Sequence, residues 1–222
     1  FNEKTKGPVP EWGIAVAIMK PERVIMKAPG IANISFTRMK EVLIHELNHI
    51  YMFRIPKYDT LPSWFKEGMA MRSANEFSLL HKIEISRFIW KKQTIPLLHL
   101  RNIIPYSRDK IKLAYGESAA AIEALEYYYG KDILINIITN LHHEQNFEEV
   151  LETLTGEEFV DFQIKFELFL EANFNWIFLF LATKYIYVIL PLVLVLGFIY
   201  HRYRSKKILR KWELEEELAT IE

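Results

Sequence analysis

Two histidines and a glutamate lie close together in the stretch Val42–Tyr51, which reads VLIHELNHIY. His45 and His49 are four residues apart, and Glu46 directly follows the first histidine. On a helix, residues four apart lie on one face, so both imidazoles can bind one metal ion. Glu46 borders that face and could take a proton from a water molecule that the metal activates. The alternative interpretation is a pair of surface histidines beside an acid on an ordinary helix.

A metal ion that acts in catalysis commonly has three protein ligands and one open position for water. Glu67, in LPSWFKEGMA, lies 18 residues after His49 and near the start of the next predicted helix. If the second helix folds back on the first, it can bring Glu67 to the two histidines. The residues alone leave another interpretation equally open, in which Glu67 is a surface acid that the helix dipole favours in a first turn.

The residues around the motif predict the helix that the two histidines require. Hydrophobic side chains recur at spacings of three and four from Ser35 to about Phe53, and Ser35 and Thr37 are candidate N-caps. A loop over residues 54–61 follows, and Pro62 fits the first turn of a second helix.

One apolar flank of the first helix is expected to anchor the site in the protein core. Its members are Leu43, Leu47 and Ile50, which recur at helical spacing.

The remaining pattern predicts an α+β fold with a small N-terminal β-sheet followed by a mainly helical domain. GIAVAIMK and RVIMKAPG are typical of two strands separated by Pro21 and Glu22. Later segments are helical, with Asn146 as a capping residue and Gly130 and Gly156 as C-terminal stops.

Composition limits the kinds of site that the chain can form. The 222 residues include no cysteine, so a metal site must use histidine and carboxylate ligands. The formal net charge is zero, so no overall basic field favours a nucleic-acid partner. The remaining histidines lack a partner at ligand spacing. Surface or helix-end roles are therefore expected for His81, His99, His142 and His143.

The residues from Trp176 to Tyr200 contain one charged side chain, that of Lys184. Crossing the hydrocarbon core takes about 20 apolar residues. The pattern therefore predicts one transmembrane helix over residues 176–200, in contact with membrane lipid. The alternative is a buried helix of a soluble domain, but such a helix normally has a polar stripe and this one has none.

Charges on the two sides of the predicted span indicate its orientation. Six lysines and arginines follow it between residues 202 and 211, whereas Glu167 and Glu171 precede it. By the positive-inside rule, the tail over residues 201–222 is cytoplasmic. Residues 1–175 then form an extracytoplasmic domain of a single-pass cell-membrane protein.

HELNH followed by LPSWFKEGMA resembles the gluzincin zinc metallopeptidases, and more narrowly the peptidase MA-like family of membrane-anchored bacterial proteins. The family pattern is an HExxH helix, a loop, and then Pro-x-Trp-x-x-Glu-Gly-x-Ala. The matching residues of the second segment are Pro62, Trp64, Glu67, Gly68 and Ala70. Later features are also similar, including IPLLHL, AYGES at the start of a helix, and the membrane span with its basic tail.

The resemblance implies a zincin-like metallopeptidase domain that hydrolyses peptide bonds. It further implies one zinc ion bound by His45, His49 and Glu67, with Glu46 as the general base. Tyr115, in LAYGES, has the position where gluzincins can place a tyrosine that hydrogen-bonds the oxyanion. A tyrosine that only packs in the core is the alternative.

The chain departs from thermolysin-like relatives at Met71. Those relatives have an aspartate there, four residues after the ligand glutamate, as a hydrogen-bond partner for a histidine. A backbone carbonyl, Asn48 or Glu76 are the candidates for this role here.

The main hypothesis is a membrane-anchored zinc metallopeptidase that acts on a peptide or protein substrate. The strand RVIMKAP is a candidate to hold an extended peptide by backbone hydrogen bonds. A second hypothesis is a catalytically silent metal-binding membrane module that acts in protein binding or assembly, although such a role needs no base at Glu46. A third is hydrolysis of an amide that is not a peptide. The sequence leaves the choice between endo- and exopeptidase action and the oligomeric state undecided.

Overall fold

The structure, a computed structural model, describes residues 13–102, 108–141, 146–175 and 183–219. The chain divides into two compact units, residues 1–177 and residues 178–222. In the described part of the first unit, two strands are followed by helices, which confirms the predicted α+β class. The elements in chain order are β1 (Ala15–Met19), β2 (Glu22–Met26), α1 (Pro29–Ala32), α2 (Phe36–Phe53), α3 (Ser63–Ser73), α4 (Leu79–Trp90), α5 (Arg108–Tyr129), α6 (Ile133–Asn140), α7 (Phe147–Thr155), α8 (Phe159–Phe174) and α9 (Thr183–Ala219). Short 3-10 turns lie at Tyr58–Thr60 and His99–Arg101.

The two strands form an antiparallel sheet in which Ala17 is paired with Val24. The backbone N–H of Lys27 donates to the carbonyl of Ile14 at 2.9 Å, so Ile14 and Lys27 form a hydrogen-bonded pair. Hydrogen-bonded and non-hydrogen-bonded pairs alternate along an antiparallel ladder. The backbone groups of Ala17 therefore point away from β2, towards the free edge of β1.

Helix α2 carries HELNH and begins as the sequence predicts. The side chain of Ser35 accepts a hydrogen bond from the backbone N–H of Arg38 at 3.1 Å, which makes Ser35 the N-cap. Thr37 lies inside the helix, and Pro62 is the N-cap residue of α3 rather than part of its first turn.

Helix α3 is anchored by two aromatic residues that precede Glu67. Trp64 and Phe65 are fully buried, and both contact Phe147 of α7. On a helix, Glu67 lies away from Phe65 and faces α2 instead. The aromatic anchor therefore sets the rotation of α3 that directs Glu67 at the histidines.

Helices α3 and α5 approach closely at Gly68. A Cβ atom on this residue would lie 2.6 Å from Cγ1 of Ile122 and closer still to the carbonyl oxygen of Ser118. Only a residue without a side chain fits between these helices without a shift of the backbone. The glycine next to Glu67 thus fixes how deeply α3 lies in the domain.

The second unit is the long helix α9, which contains Pro191. Its segment Val188–Ile208 is long and apolar enough to cross a membrane, and none of that segment is buried in the protein. Residues 176–182 of the predicted span, and with them Trp176, lie outside the described residues. His142 and His143 do so as well.

We predict that Gly68→Ala destabilises the protein, because the added methyl group must displace the backbone of α5. Overpacking of this kind typically lowers the free energy of unfolding by about 1–3 kcal/mol. Urea unfolding of the full chain in detergent, followed by tryptophan fluorescence, measures the change. Gly30→Ala is the matched control, since a Cβ atom there has no neighbour within 4 Å. Equal urea midpoints for Gly68→Ala and Gly30→Ala would contradict the close approach of α3 and α5.

Candidate metal centre

Helices α2 and α3 bring together the three side chains that the sequence suggests as ligands. Oε2 of Glu67 lies 3.3 Å from Nε2 of His45 and 3.4 Å from Nε2 of His49. The two imidazole rings are 5.0 Å apart and steeply inclined to each other. Three donor atoms of the types that bind zinc therefore converge on one point.

The distances between these atoms fit a metal ion better than a hydrogen-bonded cluster. Zinc binds nitrogen and oxygen at about 2.0–2.1 Å, and two ligands of a tetrahedral zinc are then about 3.3–3.4 Å apart. Oε2 of Glu67 is buried and has no hydrogen-bond partner among the described residues. A buried carboxylate oxygen without a partner is unfavourable, and a bound cation would compensate for it.

The charges of the site stabilise its ionised forms. Burial alone would lower the pKa of His45, but the carboxylates of Glu67 and Glu76 raise it to about 10. Burial would raise the pKa of Glu67, but the two imidazoles lower it to about 2. Glu67 is therefore ionised at neutral pH, which is the form that binds a metal ion, whereas His45 must release a proton before its Nε2 atom can bind one.

Glu46 lies between the histidines and the sheet. Burial raises the pKa of its carboxyl group, while His49, His45 and a hydrogen bond with the backbone of Ala17 act in the opposite direction. Strand β1 therefore lies against Glu46. The sequence favoured RVIMKAP, whose first four residues lie in β2, and could not show which strand faces the site, because that depends on how the sheet packs against α2.

Tyr115 of α5 also lies at the site. Its ring centre is 6.4 Å from that of His45. Burial raises the pKa of the hydroxyl group, and the negative charges of Glu67, Glu46 and Glu76 raise it further. The hydroxyl group stays protonated at neutral pH and can donate a hydrogen bond.

Glu76 is the hydrogen-bond partner of His45, and Asn48 is not. Nδ1 of His45 lies 2.7 Å from Oε2 of Glu76, whereas the side-chain amide of Asn48 donates to Ser73 at 2.8 Å. The other oxygen of Glu76 lies 2.7 Å from the guanidinium group of Arg38.

Arg38 was not identified from the sequence as a residue of the candidate centre. It precedes His45 by seven residues, so both lie on the same face of α2, and this spacing was a signal that could have found it.

The expected apolar anchor on α2 is wrong for two of its three members. Ile50 is buried, but Leu43 and Leu47 are 37% and 45% exposed. Their face of α2 is turned away from the domain because His45 and His49 themselves point into it. The interior side of this helix therefore combines the two histidines with the buried apolar residues Val42, Ile50 and Met52.

A comparison with protein-family models matches residues 8–172 to the Peptidase MA superfamily. This match covers well over half of the chain and includes all the residues of the candidate centre. No curated protein and no solved structure matches the chain.

Helix α5 carries another buried acid, Glu117, two residues after Tyr115. Both of its carboxylate oxygens accept from the backbone N–H of Ile95, at 3.2 and 3.0 Å. Burial raises the pKa of this carboxyl group well above 4.5, and the hydrogen bond from Ile95 only partly opposes it. The folded protein therefore keeps a proton on Glu117 at pH values where the unfolded chain has lost it.

We predict that the stability contributed by this proton is fully present below pH 4.5 and is lost as the pH rises towards the folded pKa. The free energy of unfolding then falls by about 1.4 kcal/mol per pH unit from this group. Glu117→Gln keeps a carbonyl acceptor for Ile95 but cannot ionise, so its unfolding free energy should fall less steeply. Urea unfolding at several pH values above 4.5 tests this, with exposed Glu152→Gln as the control. If the unfolding free energies of the wild type and Glu117→Gln change equally with pH, Glu117 does not carry the proton in the folded protein.

Proposed function

We propose that this chain, which belongs to the Peptidase MA superfamily, is a membrane-anchored zinc-dependent peptidase that cleaves peptide bonds in a peptide or protein substrate. One observation carries the proposal, namely the convergence of two imidazoles and an unpartnered carboxylate oxygen beside a further buried carboxylate. This arrangement combines a metal site with a base, and hydrolysis of an amide needs both.

His45, His49 and Glu67 would hold one zinc ion through two nitrogen atoms and one oxygen atom. This donor set leaves the fourth position of a tetrahedral ion open, as in catalytic zinc sites. A zinc ion bound there supplies a Lewis acid that polarises the scissile carbonyl and lowers the pKa of a water molecule.

Glu46 would act as the general base and then as the general acid. It takes a proton from the attacking water molecule and returns it to the nitrogen of the leaving amine. Its burial raises the pKa of the carboxyl group, which brings its proton affinity closer to the working pH. Because Glu46 follows His45 directly on α2, the helix keeps the base beside the metal ligands.

Tyr115 would stabilise the negative charge that develops on the substrate carbonyl. Its hydroxyl group is protonated and lies among three carboxylates that cannot donate a hydrogen bond. It is therefore the donor to the developing oxyanion. The free edge of β1, with backbone groups directed away from β2, is the part of the sheet that would hold an extended substrate.

The same site supports a catalytically silent metal-binding module less well than it supports a peptidase. A buried carboxylate with a raised pKa destabilises the fold, and metal binding alone does not require Glu46. Family membership favours a peptide bond over another amide as the substrate.

The proposal includes the arrangement of the chain across a membrane. Residues 1–175 form the extracytoplasmic peptidase domain, residues 176–200 span the membrane, and residues 201–222 form a cytoplasmic tail. The exposed apolar surface of α9 and the basic residues that follow Tyr200 support this arrangement.

We predict that Glu46→Gln lowers kcat by about 10²–10⁴-fold, because a neutral amide cannot accept the proton of the attacking water. Zinc content stays at that of the wild type, since the three ligands are unchanged. Cleavage of a peptide library, together with metal analysis of the same sample, measures both. Glu84→Gln on α4, outside the centre, is the control and keeps full activity. Wild-type rates in Glu46→Gln would refute the assignment of the base.

We predict that a membrane-impermeant maleimide labels Lys131→Cys but not Ala219→Cys in intact cells, because the first position belongs to the outer domain and the second to the tail. The natural chain has no cysteine, so each variant carries a single reactive thiol. Labelling of permeabilised cells gives the total for each variant. The reverse pattern would show the opposite orientation.

A further inference from the structure

The turn after α3 returns the chain to the candidate metal centre. Asn75 has a left-handed backbone conformation with a φ of 55°. The N–H of Glu76 donates to the carbonyl of Met71 at 2.9 Å, and that of Asn75 donates to Arg72 at 3.1 Å. These two hydrogen bonds form a Schellman motif, which ends a helix and reverses the chain direction.

This turn provides the hydrogen-bond acceptor for His45 that methionine at position 71 cannot provide. Four residues after Glu67, the side chain at 71 lies on the same face of α3, but Met71 is buried and apolar and cannot accept a hydrogen bond from an imidazole. Its carbonyl instead closes the turn that directs Glu76 back towards α2. The acceptor for His45 is thus supplied by the residue after the helix end.

The carboxylate of Glu76 uses both oxygens within the site. Oε2 lies 2.7 Å from Nδ1 of His45, and Oε1 lies 2.7 Å from the guanidinium group of Arg38. An ionised carboxylate can only accept, so when His45 is neutral its proton lies on Nδ1 and Nε2 presents its lone pair. Nε2 is the atom that lies 3.3 Å from Glu67. Glu76 therefore determines which nitrogen of His45 is available to a metal ion.

Arg38 holds this carboxylate in place from the first turn of α2. The same nitrogen of its guanidinium group also contacts Glu41, at 2.9 Å. The side chain of Glu76 is only 7% exposed, so its charge would be poorly solvated without the guanidinium group. Arg38 and His45 belong to one helix, so the contact fixes Glu76 relative to the ligand it supports.

The second histidine has no equivalent support in the part of the chain that the structure describes. Nδ1 of His49 is buried and has no hydrogen-bond partner there. The rotation of the His45 ring is thus set by its contact with Glu76, whereas the rotation of the His49 ring is set by packing alone.

We propose that Arg38 and Glu76 are positioning residues that fix the ring and tautomer of His45 and so determine how tightly the centre binds its metal ion. This inference rests on the proposed metal site. It predicts that residues which touch neither the metal nor the substrate control metal affinity.

Competition between the detergent-solubilised full chain and a chromophoric chelator for Zn²⁺ tests this. Glu76→Ala removes the acceptor and should weaken zinc binding by about 10–100-fold. Glu76→Gln keeps an acceptor without the charge, so its loss should be smaller. Arg38→Met should also weaken binding, and Arg38→Lys, which restores a cation, should recover part of the loss.

Glu126→Gln is the matched control, because Glu126 also forms an ion pair with an arginine, Arg72, at 2.5 Å, but contacts no histidine. It should bind Zn²⁺ as the wild type does. Imidazole ¹⁵N shifts give a second readout that general destabilisation would not move. In the wild type, the neutral form of His45 should carry its proton on Nδ1, and Glu76→Ala should lose this preference.

A pair of variants at position 75 covers the case in which Glu76→Ala does not fold. Asn75→Gly keeps the left-handed turn and should keep zinc affinity, whereas Asn75→Val disfavours that conformation and should weaken zinc binding with every ligand intact. Unchanged affinity in Glu76→Ala, or in Asn75→Val if Glu76→Ala does not fold, would overturn the inference and leave the zinc peptidase proposal standing. Failure of the wild type itself to bind Zn²⁺ would overturn both.

Discussion

The close packing of α3 against α5 is the constraint on which the candidate centre depends. Gly68 allows the backbones to approach, and Trp64 and Phe65 fix the rotation of α3 in the aromatic core. Glu67 lies between Phe65 and Gly68 in the sequence and faces α2. The candidate ligand from this second helix is therefore positioned by the packing of the core.

Electrostatics gives the centre its preference for a cation. Glu46, Glu67 and Glu76 surround two imidazoles, and Arg38 supplies one guanidinium group that it shares with Glu41. With both imidazoles in the neutral form that binds a metal ion, the cluster keeps a net negative charge in a largely buried region. A divalent ion reduces this repulsion, whereas a proton on His45 reduces it only in part. The fold thus holds mutually repelling carboxylates around the point where the ion would bind.

Much of this arrangement could be predicted from local sequence patterns. The spacing of His45 and His49 on an amphipathic segment indicated both the helix and the face that carries the candidate ligands. Ser35 was recognised as an N-cap because that preference depends on a few neighbouring atoms. The α+β class followed from the order of strand-like and helix-like segments.

The features that the sequence did not reveal depend on how distant segments meet. Leu47 was expected in the core, but the direction of the interior follows from where α3 and α5 pack, not from hydrophobicity alone. The choice of Glu76 among the three candidates that could support His45 needs a reversal of the chain at Asn75, and the choice of β1 over β2 needs the packing of the sheet on α2. No local pattern contains any of these three facts.

The aromatic contacts of Trp64 have a thermodynamic consequence for the whole domain. Trp64 touches Phe147 of α7 and Phe162 of α8, two helices that are remote in sequence from the centre. A ligand that binds only the folded state stabilises every segment whose unfolding would release it. Zinc at the centre would thereby slow hydrogen exchange in α7 and α8, and the domain and its ion would be lost in one cooperative step.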